Sequence, residues 1–326
     1  MKRFILIILC AALFFTTCLS LASCGSDNQT TQSTTDKDQN MVDYDEALSL
    51  LQEGEYEEAK ILFEKLGDYK DAADYLSKFY YMPTAFIYNL HDKAGIYEIV
   101  LNENNLPSKE ITHRDDMDSV CEFTYNEQGD IIKQATTANG DLYTYDYTYN
   151  PDATINSAIY IGPDGSTLIN KYTYDDNGRL ILETYEDKNG TILYSCTFLY
   201  DDKGNVIAQD IVEGEYSYHL DIEYIYDDNS MLISEICHYG DGVQESLDYT
   251  YDENGNVTKK LLTSYDGSQS YYEYTYDTNG NVIREVLTDS QGIEQYVDIE
   301  YVLVYIPQGI TTPTHLFFEG YWGSIL

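Results

Sequence analysis

The chain has 326 residues, and its 57 acidic side chains outnumber 18 basic ones, which gives a formal net charge of −39. Nucleic acid and anionic lipid headgroups would repel so acidic a chain, and we therefore expect no nucleic-acid partner. Neutral glycans, cations and basic proteins remain as partner classes.

Residues 1–23 predict a bacterial signal peptide. Lys2 and Arg3 precede an apolar run at 4–15 that is too short to span a bilayer. The run leads to Leu-Ala-Ser-Cys at 21–24, which resembles the lipobox, where cleavage precedes a cysteine that then carries the lipid. The resemblance implies a palmitoylated lipoprotein, extracytoplasmic and held to the cell membrane through Cys24. The alternative is an ordinary secretory signal with a chance cysteine.

Two segments separate this signal from the rest of the chain. Residues 24–40 are almost entirely polar, which predicts a disordered tether. In the segment at 41–83, residues 43–82 follow a helical period that is interrupted at Gly54 and Gly67 and ended by Pro83, which predicts three short helices. The sequences at 54–59 and 67–72 resemble the second helix of a tetratricopeptide repeat, but their spacing is too short for that family.

A tyrosine followed by Asp or Asn recurs through the middle of the chain. The steps between these marker tyrosines are 24, 25, 26, 26, 25 and 25 residues, a period typical of repeat architectures. The marker tyrosines are Tyr125, Tyr149, Tyr174, Tyr200, Tyr226, Tyr251 and Tyr276.

Each period predicts two β-strands and two turns. Numbered from the marker tyrosine, position −2 is always aromatic and position −3 is nearly always polar, as in a strand with one aromatic face. The Asp or Asn at +1 can cap a turn, and glycine at +4 permits a left-handed residue there. Ala153 and Ser230 replace that glycine in two repeats, so we expect looser turns there. A decayed copy of the repeat is predicted at 97–109, and Tyr301 falls one period after Tyr276.

The cores at 174–180, 200–206, 251–257 and 276–282, of the form Tyr-Asp-x-x-Gly-Asn/Arg-Val/Leu, resemble the YD repeats of the RHS family. The resemblance covers about residues 95–301 and implies hairpins that curl into a spiral or shell. We therefore expect a mainly β fold, an antiparallel meander of about sixteen strands at 84–301 forming a long curved or spiral sheet. Residues 302–326 are predicted to cap the edge of that sheet.

The aromatic column at position −2 is the first candidate binding site. Its rings could stack on a glycan or peptide at the cell surface, whereas core packing is the structural alternative. The column consists of Phe123, Tyr147, Tyr172, Phe198, Tyr224, Tyr249 and Tyr274.

Paired carboxylates in three turns are candidate calcium ligands, because clustered oxygens suit that ion. No calcium-loop spacing accompanies them, and the exchange of Asp for Asn at +1 favours turn capping. We therefore expect no obligatory cofactor, with calcium as the alternative. The carboxylates belong to Asp175, Asp176, Asp201, Asp202, Asp227 and Asp228.

These patterns predict a non-catalytic surface module that binds a carbohydrate, cell-wall or protein partner or serves as a scaffold. A stalk or shell segment without a ligand is the alternative. A hydrolase using Asp115, Asp116 and Asp118 is a third hypothesis. The histidines are scattered, and no catalytic or metal-binding spacing joins them. Cys121, Cys196 and Cys237 are predicted to be buried free thiols.

Overall fold

A computed structural model of the chain describes residues 34–90, 93–114, 118–240 and 242–307. These residues belong to two compact units, a helical one at 34–77 and a β unit at 78–307. Within this described part, no helix is both long and apolar enough to cross a membrane. Cys24 and most of the predicted cap lie outside the described residues.

The helical unit contains α1 (Thr34–Glu53), α2 (Tyr56–Leu66) and α3 (Ala72–Leu76), which confirms the prediction of three helices. Its core forms around the fully buried Phe63, whose ring lies 4.7 Å from the ring of Tyr75 and 6.1 Å from that of Tyr44. α1 begins at Thr34, so the last residues of the predicted tether are helical.

The helical period predicted to reach residue 82 ends at Leu76, and the first strand already includes Pro83. Proline lacks the N–H that a sheet ladder requires, so it is tolerated only at an edge or an irregularity. The strand register shifts between Pro83 and Ala85, which accommodates it. Proline therefore marked a bulge in a strand and not the end of a helix.

The β unit contains 18 strands. The strands are β1 (Phe79–Leu90), β2 (Lys93–Leu101), β3 (Pro107–Arg114), β4 (Asp118–Tyr125), β5 (Ile131–Ala138), β6 (Asp141–Tyr149), β7 (Ile155–Ile161), β8 (Thr167–Tyr174), β9 (Leu180–Asp187), β10 (Ile192–Tyr200), β11 (Val206–Glu213), β12 (Tyr216–Tyr226), β13 (Leu232–Tyr239), β14 (Gln244–Tyr251), β15 (Val257–Thr263), β16 (Gln269–Tyr276), β17 (Val282–Thr288) and β18 (Glu294–Tyr305).

The strands form one antiparallel meander, as predicted, but the sheet is closed and not open. Each strand pairs with the next along the chain. β18 then returns to pair with β1 from Phe79↔Tyr305 to Asn89↔Tyr296. The expected open curved or spiral sheet is therefore wrong, and an 18-stranded barrel replaces it. Closure leaves neither terminal strand with a free edge, so residues 302–305 continue β18 where an edge cap was expected.

The repeat is preserved in the strand register. In every full repeat the marker tyrosine pairs with position +6, and a bulge precedes it, as at Tyr251↔Val257. The predicted decayed copy follows the same rule, with Leu101↔Pro107 and a turn closed by the N–H of Asn102 and the carbonyl of Leu106 at 2.8 Å. Identical register places each repeat position at one level around the barrel.

Alternation along the strands assigns each position to a face. Positions −2 and 0 share the less exposed face, which lies inside the closed sheet, and positions −1 and −3 lie outside. Cys196 and Cys237 are buried on the inner face, and Cys121 is partly buried there. All three are free thiols, as predicted.

Candidate functional site

The Asp or Asn at +1 caps the turn after six of the seven marker tyrosines, which confirms the prediction for those repeats; after Tyr149, Asp152 accepts the N–H of Thr154 instead, at 3.1 Å. Oδ1 of Asp252 accepts the backbone N–H groups of Asn254 and Asn256 at 2.8 and 2.9 Å. Its Oδ2 accepts the side-chain amide of Asn256 at 2.9 Å. These hydrogen bonds, from the Asn256 side chain first, hold the pKa of Asp252 below its usual range.

In the first full repeat, the exchange of Asp for Asn at +1 is matched by the reverse exchange at +5. Asn126 accepts the N–H groups of Gln128 and Asp130 in the same way, and its own amide donates to Oδ2 of Asp130 at 2.9 Å. The two side chains have traded donor and acceptor. These two turns therefore each pair one amide with one carboxylate, whichever of the two positions carries the charge.

The two turns without glycine at +4 are not looser, so that expectation is wrong. Ala153 and Ser230 both adopt φ 67°, in the left-handed region where the other repeats have glycine. The N–H of each still donates to the carbonyl at +1, at 3.0 Å in both turns. The turn geometry is imposed on these side chains by the surrounding register.

We predict that Ala153→Gly and Ser230→Gly each raise the free energy of unfolding by about 0.5–1 kcal/mol, because the strain of a left-handed residue exceeds the added entropy of glycine. Denaturant unfolding of the full chain measures this change. The matched control is Gly204→Ala, at φ 93°, which should destabilise by about 1 kcal/mol. Equal effects of the three substitutions would contradict the explanation.

The marker tyrosines join successive hairpins. The hydroxyl of Tyr276 donates to the carbonyl of Val257, position +6 of the preceding repeat, at 2.7 Å. Tyr149 and Tyr200 make the equivalent bonds at 2.6 Å, and Tyr301 continues the series after the last repeat turn at 3.0 Å. The sequence showed the tyrosine but not this partner, which lies one repeat away.

Removing one of these hydroxyls should cost about 1 kcal/mol, the net contribution of a partly buried hydrogen bond. Tyr276→Phe is the clean test, because it keeps the ring and leaves the Val257 carbonyl without this donor. Thermal unfolding would report the loss. Tyr265→Phe, at an exposed tyrosine in the turn between β15 and β16, should leave stability unchanged. A loss of the same size in both variants would show that the hydroxyl bond is unimportant.

A second inner row was not recognised in the sequence. It lies at position +9, directly opposite the aromatic column on the neighbouring strand, as in Phe123↔Gln134 and Tyr274↔Glu285. Its members, which we call the +9 row, are mostly polar although they face inward. They are Glu110, Gln134, Ala158, Glu183, Gln209, Glu235, Lys260 and Glu285.

Burial controls the electrostatics of the +9 row. It raises the pKa of Glu110 to about 7 and raises the pKa values of Glu183, Glu235 and Glu285 in the same direction. Burial lowers the pKa of Lys260, and the charges of Glu285 and Glu235 oppose that shift. The four raised carboxyls belong to different repeats, so they form a ring and not a close catalytic pair.

The aromatic column contacts this row. The hydroxyl of Tyr249 donates to Glu235 at 2.7 Å, and Nζ of Lys260 lies 5.4 Å from the ring centre of Tyr274. Phe123 is buried and the other six rings are partly buried, with none exposed. Burial raises the pKa of Tyr172 to about 12. The column thus packs inside the barrel, and glycan binding by it stays a prediction.

The candidate calcium ligands are distributed over separate turns. The carboxylates of Asp175, Asp201 and Asp227 are engaged in turn hydrogen bonds, and their neighbours Asp176, Asp202 and Asp228 are exposed. Among the described residues, no three His, Cys, Asp or Glu side chains are placed to hold a metal ion. Calcium binding stays a prediction.

The proposed hydrolase carboxylates are only partly described. Asp115 and Asp116, like Cys24, lie outside the described residues. Asp118 begins β4 as an exposed side chain and lies 3.2 Å from Nδ1 of His113. That contact is a hydrogen bond on the outer face.

The outer face carries ion pairs between successive repeats. Position +8 supplies the base and position −3 of the next repeat supplies the acid, as in Lys109–Glu122 at 2.6 Å and Arg284–Asp298 at 3.3 Å. Lys133–Asp146 and Lys259–Glu273 follow the same rule at 3.3 and 3.8 Å. Such exposed pairs add little stability, but they define the common pattern of this face.

The ion-pair pattern is absent from four repeats, in which position +8 is Ser157, Leu182, Ala208 or Ser234; only Leu182 and Ala208 are apolar. Position −1, threonine in five repeats, is Leu199 and then Ile225. Leu199 is 59% exposed. Ile225, two strands away on β12, is also exposed, but the register places Asp221 across from Leu199, so Leu199 and Ile225 lie about 16 Å apart. We call Leu182, Leu199 and Ile225 the outer apolar patch.

Comparison with known proteins agrees with the repeat. Residues 64–195 match the family model of the Teneurin YD-shell. No curated protein matches the chain in sequence. The chain carries YD repeats, and its β unit is a barrel.

The chain is also similar, at low sequence identity, to several solved structures. A porin-like protein from Bacteroides uniformis is 11% identical, with a TM-score of 0.40 over 68% of this chain and 96% of that one. A porin-like protein from Bacteroides vulgatus is 12% identical, with a TM-score of 0.31 over 52% and 98%. The Tc holotoxin pore of Photorhabdus luminescens is 14% identical, with a TM-score of 0.25, and this chain spans only 14% of the chain it matches.

Proposed function

We propose, starting from the YD-repeat barrel, that this chain is a lipid-anchored extracytoplasmic protein whose barrel is a non-catalytic scaffold for binding a protein partner. The observation that carries the proposal is the outer apolar patch. It is the place where the shared outer-face pattern is replaced by aliphatic side chains, of which Leu199 and Ile225 are exposed.

The side chains at the positions that the repeats share stabilise the fold. The marker tyrosine joins hairpins, the residue at +1 caps a turn, and the aromatic at −2 packs inside. A binding function that distinguishes partners must therefore use positions where the repeats differ. Leu199 and Ile225 differ from the threonine of the other repeats, and no ion pair covers them.

The chemistry of the patch favours a protein over a glycan. Sugars are usually bound by aromatic rings with polar neighbours, whereas this patch is aliphatic. The carboxylates of Asp221 and Glu223 lie on β12, the strand that also carries Ile225. A partner surface with apolar side chains and basic groups around them would complement both features.

A shell without a ligand is the second candidate, and the inward-packed aromatic column favours it. In that case the barrel would act only as a rigid body held at the membrane. The two candidates differ in whether the outer apolar patch contacts another molecule in the cell.

Site-specific photo-crosslinking in cells separates the two candidates. A photoreactive side chain at Leu199 should give one dominant protein adduct, and the same group at Thr275, the equivalent position of another repeat, should give none. Leu199→Thr together with Ile225→Thr, which restores the residue of the other repeats, should abolish an adduct formed from a neighbouring outer position such as Thr197. Equal labelling at Leu199 and Thr275, or no adduct at either, would support the bare shell.

The anchor is tested separately. Cys24→Ala, or inhibition of the lipoprotein signal peptidase by globomycin, should leave an unprocessed precursor and prevent labelling with a palmitate analogue. Correct processing and membrane attachment in Cys24→Ala would refute lipidation at this residue and indicate an ordinary signal peptide.

A further inference from the structure

Two histidines that are unrelated in the sequence pattern meet on the outer face of β12 and β13. His219 and Asp221 are alternate residues of β12 and therefore point to the same side. His238 on β13 pairs directly with Asp221. His219 and Asp221 on β12 and His238 on β13 therefore form a compact triangle at the surface.

The carboxylates around this triangle already contact the imidazoles. Nε2 of His219 lies 3.2 Å from Oδ1 of Asp221, and its Nδ1 lies 2.7 Å from Oδ1 of Asp210 on β11. Nε2 of His238 lies 3.5 Å from Oε2 of Glu223. The site therefore combines two imidazoles with three carboxylates.

The Asp210 contact orients His219. A metal-binding imidazole usually donates its second N–H to a carboxylate, which fixes the tautomer and directs the other nitrogen at the ion. Here the Nδ1–Asp210 bond leaves Nε2 directed at Asp221.

We propose that His219, Asp221 and His238 bind a divalent transition-metal ion such as Zn²⁺, with Asp210 as a positioning residue. The ion binds the unprotonated Nε2 of His219, any proton there passes to solvent, and water completes the coordination. Imidazole with carboxylate suits zinc, nickel or copper, whereas calcium prefers oxygen donors alone.

The ligands must rotate to converge. In their present rotamers the described side chains form no group of three around one point. The side chains of His219, Asp221 and His238 are 49%, 65% and 42% exposed, so rotation about χ1 and χ2 meets little packing resistance. The net charge of −39 favours a cation at this surface.

Calorimetric titration of the full chain with ZnCl₂ near neutral pH tests the site. Wild type should bind one ion at a site that His219→Asn or His238→Asn removes. Asp210→Asn should weaken this binding by about 10–100-fold, the usual cost of losing an orienting carboxylate. CaCl₂ should not compete with zinc there.

His113→Asn is the matched control, because His113 also lies on the outer face beside two carboxylates, Asp118 at 3.2 Å and Glu98 at 3.9 Å, but with one imidazole. This variant should bind zinc like wild type. Unchanged zinc binding in His238→Asn, loss of binding in His113→Asn, or no zinc heat at all would overturn the proposal. The zinc titration uses the purified chain without a partner and the crosslinking uses cells, so either result can fail alone.

Discussion

Ile306→Ala should destabilise the chain by about 2–5 kcal/mol, because it removes a fully buried side chain at the seam that closes the barrel. Ile306 is 0% exposed and packs with Met82, Leu106 and Val304, which come from the first strand, a repeat turn and the last strand. Its N–H also donates to the carbonyl of Lys78 at 3.0 Å. The measurement is denaturant unfolding combined with hydrogen exchange of the β1 and β18 amides.

The exchange pattern makes this prediction specific to closure. Protection should fall first in β1 and β18 and less in the distant β9–β11 strands. Val302→Ala is the control on the same strand, at a side chain that is 41% exposed, and should change stability by less than about 0.5 kcal/mol. A uniform loss of protection, or similar costs for the two variants, would show that the seam is not the weak point.

Glu110→Gln should stabilise the chain at pH 8 by up to about 3 kcal/mol and flatten its stability between about pH 4.5 and 7. Glu110 is 5% exposed, and its Oε1 has no hydrogen-bond partner within the described residues. Burial raises its pKa from 4.5 to about 7, and the Tyr97 side chain opposes this shift. The folded state therefore binds a proton that the unfolded chain has released in this interval. Stability falls as the pH rises through it and stays low above it.

Urea unfolding at a series of pH values would measure the effect as the difference between variant and wild type. This difference removes the contributions of Glu183, Glu235 and Glu285, whose raised pKa values act in the same direction. The mirror variant Gln134→Glu places a carboxyl at the same +9 position one repeat later and should steepen the fall. Glu110→Gln with an unaltered pH dependence would place the titrating group elsewhere.

The sequence contains the spacing of the +9 row but does not show that the row is buried. Glu110, Gln134 and the other members of the +9 row recur with the same period as the marker tyrosines, so the row was visible as a spacing. The spacing alone did not indicate burial of this row, because polar residues in a strand are expected to face water. Only the pairing of Glu110 with Cys121, inside a closed sheet, shows that this side chain is buried.

The histidine cluster could not be derived from spacing. His219 and His238 occupy different repeat positions, which argued against a shared site. β12 begins at Tyr216 and therefore includes both His219 and Asp221. The register pairs Asp221 with His238, which brings the two histidines together. Such proximity depends on register, and a shift of one residue would move either side chain to the opposite face.

The period, the turn residues and the strand alternation were determined by the sequence alone, because each depends on contacts within one hairpin. The capping oxygen, the left-handed residue and the bulge lie within a few residues of the marker tyrosine. The residue types at these positions indicate their roles. Closure depended on the tertiary structure, since it joins Phe79 to Tyr305 across the whole β unit and depends on the accumulated twist of all the strands. That closure decided which face became the interior, and so turned the aromatic column inward and left Leu199 and the histidines outside.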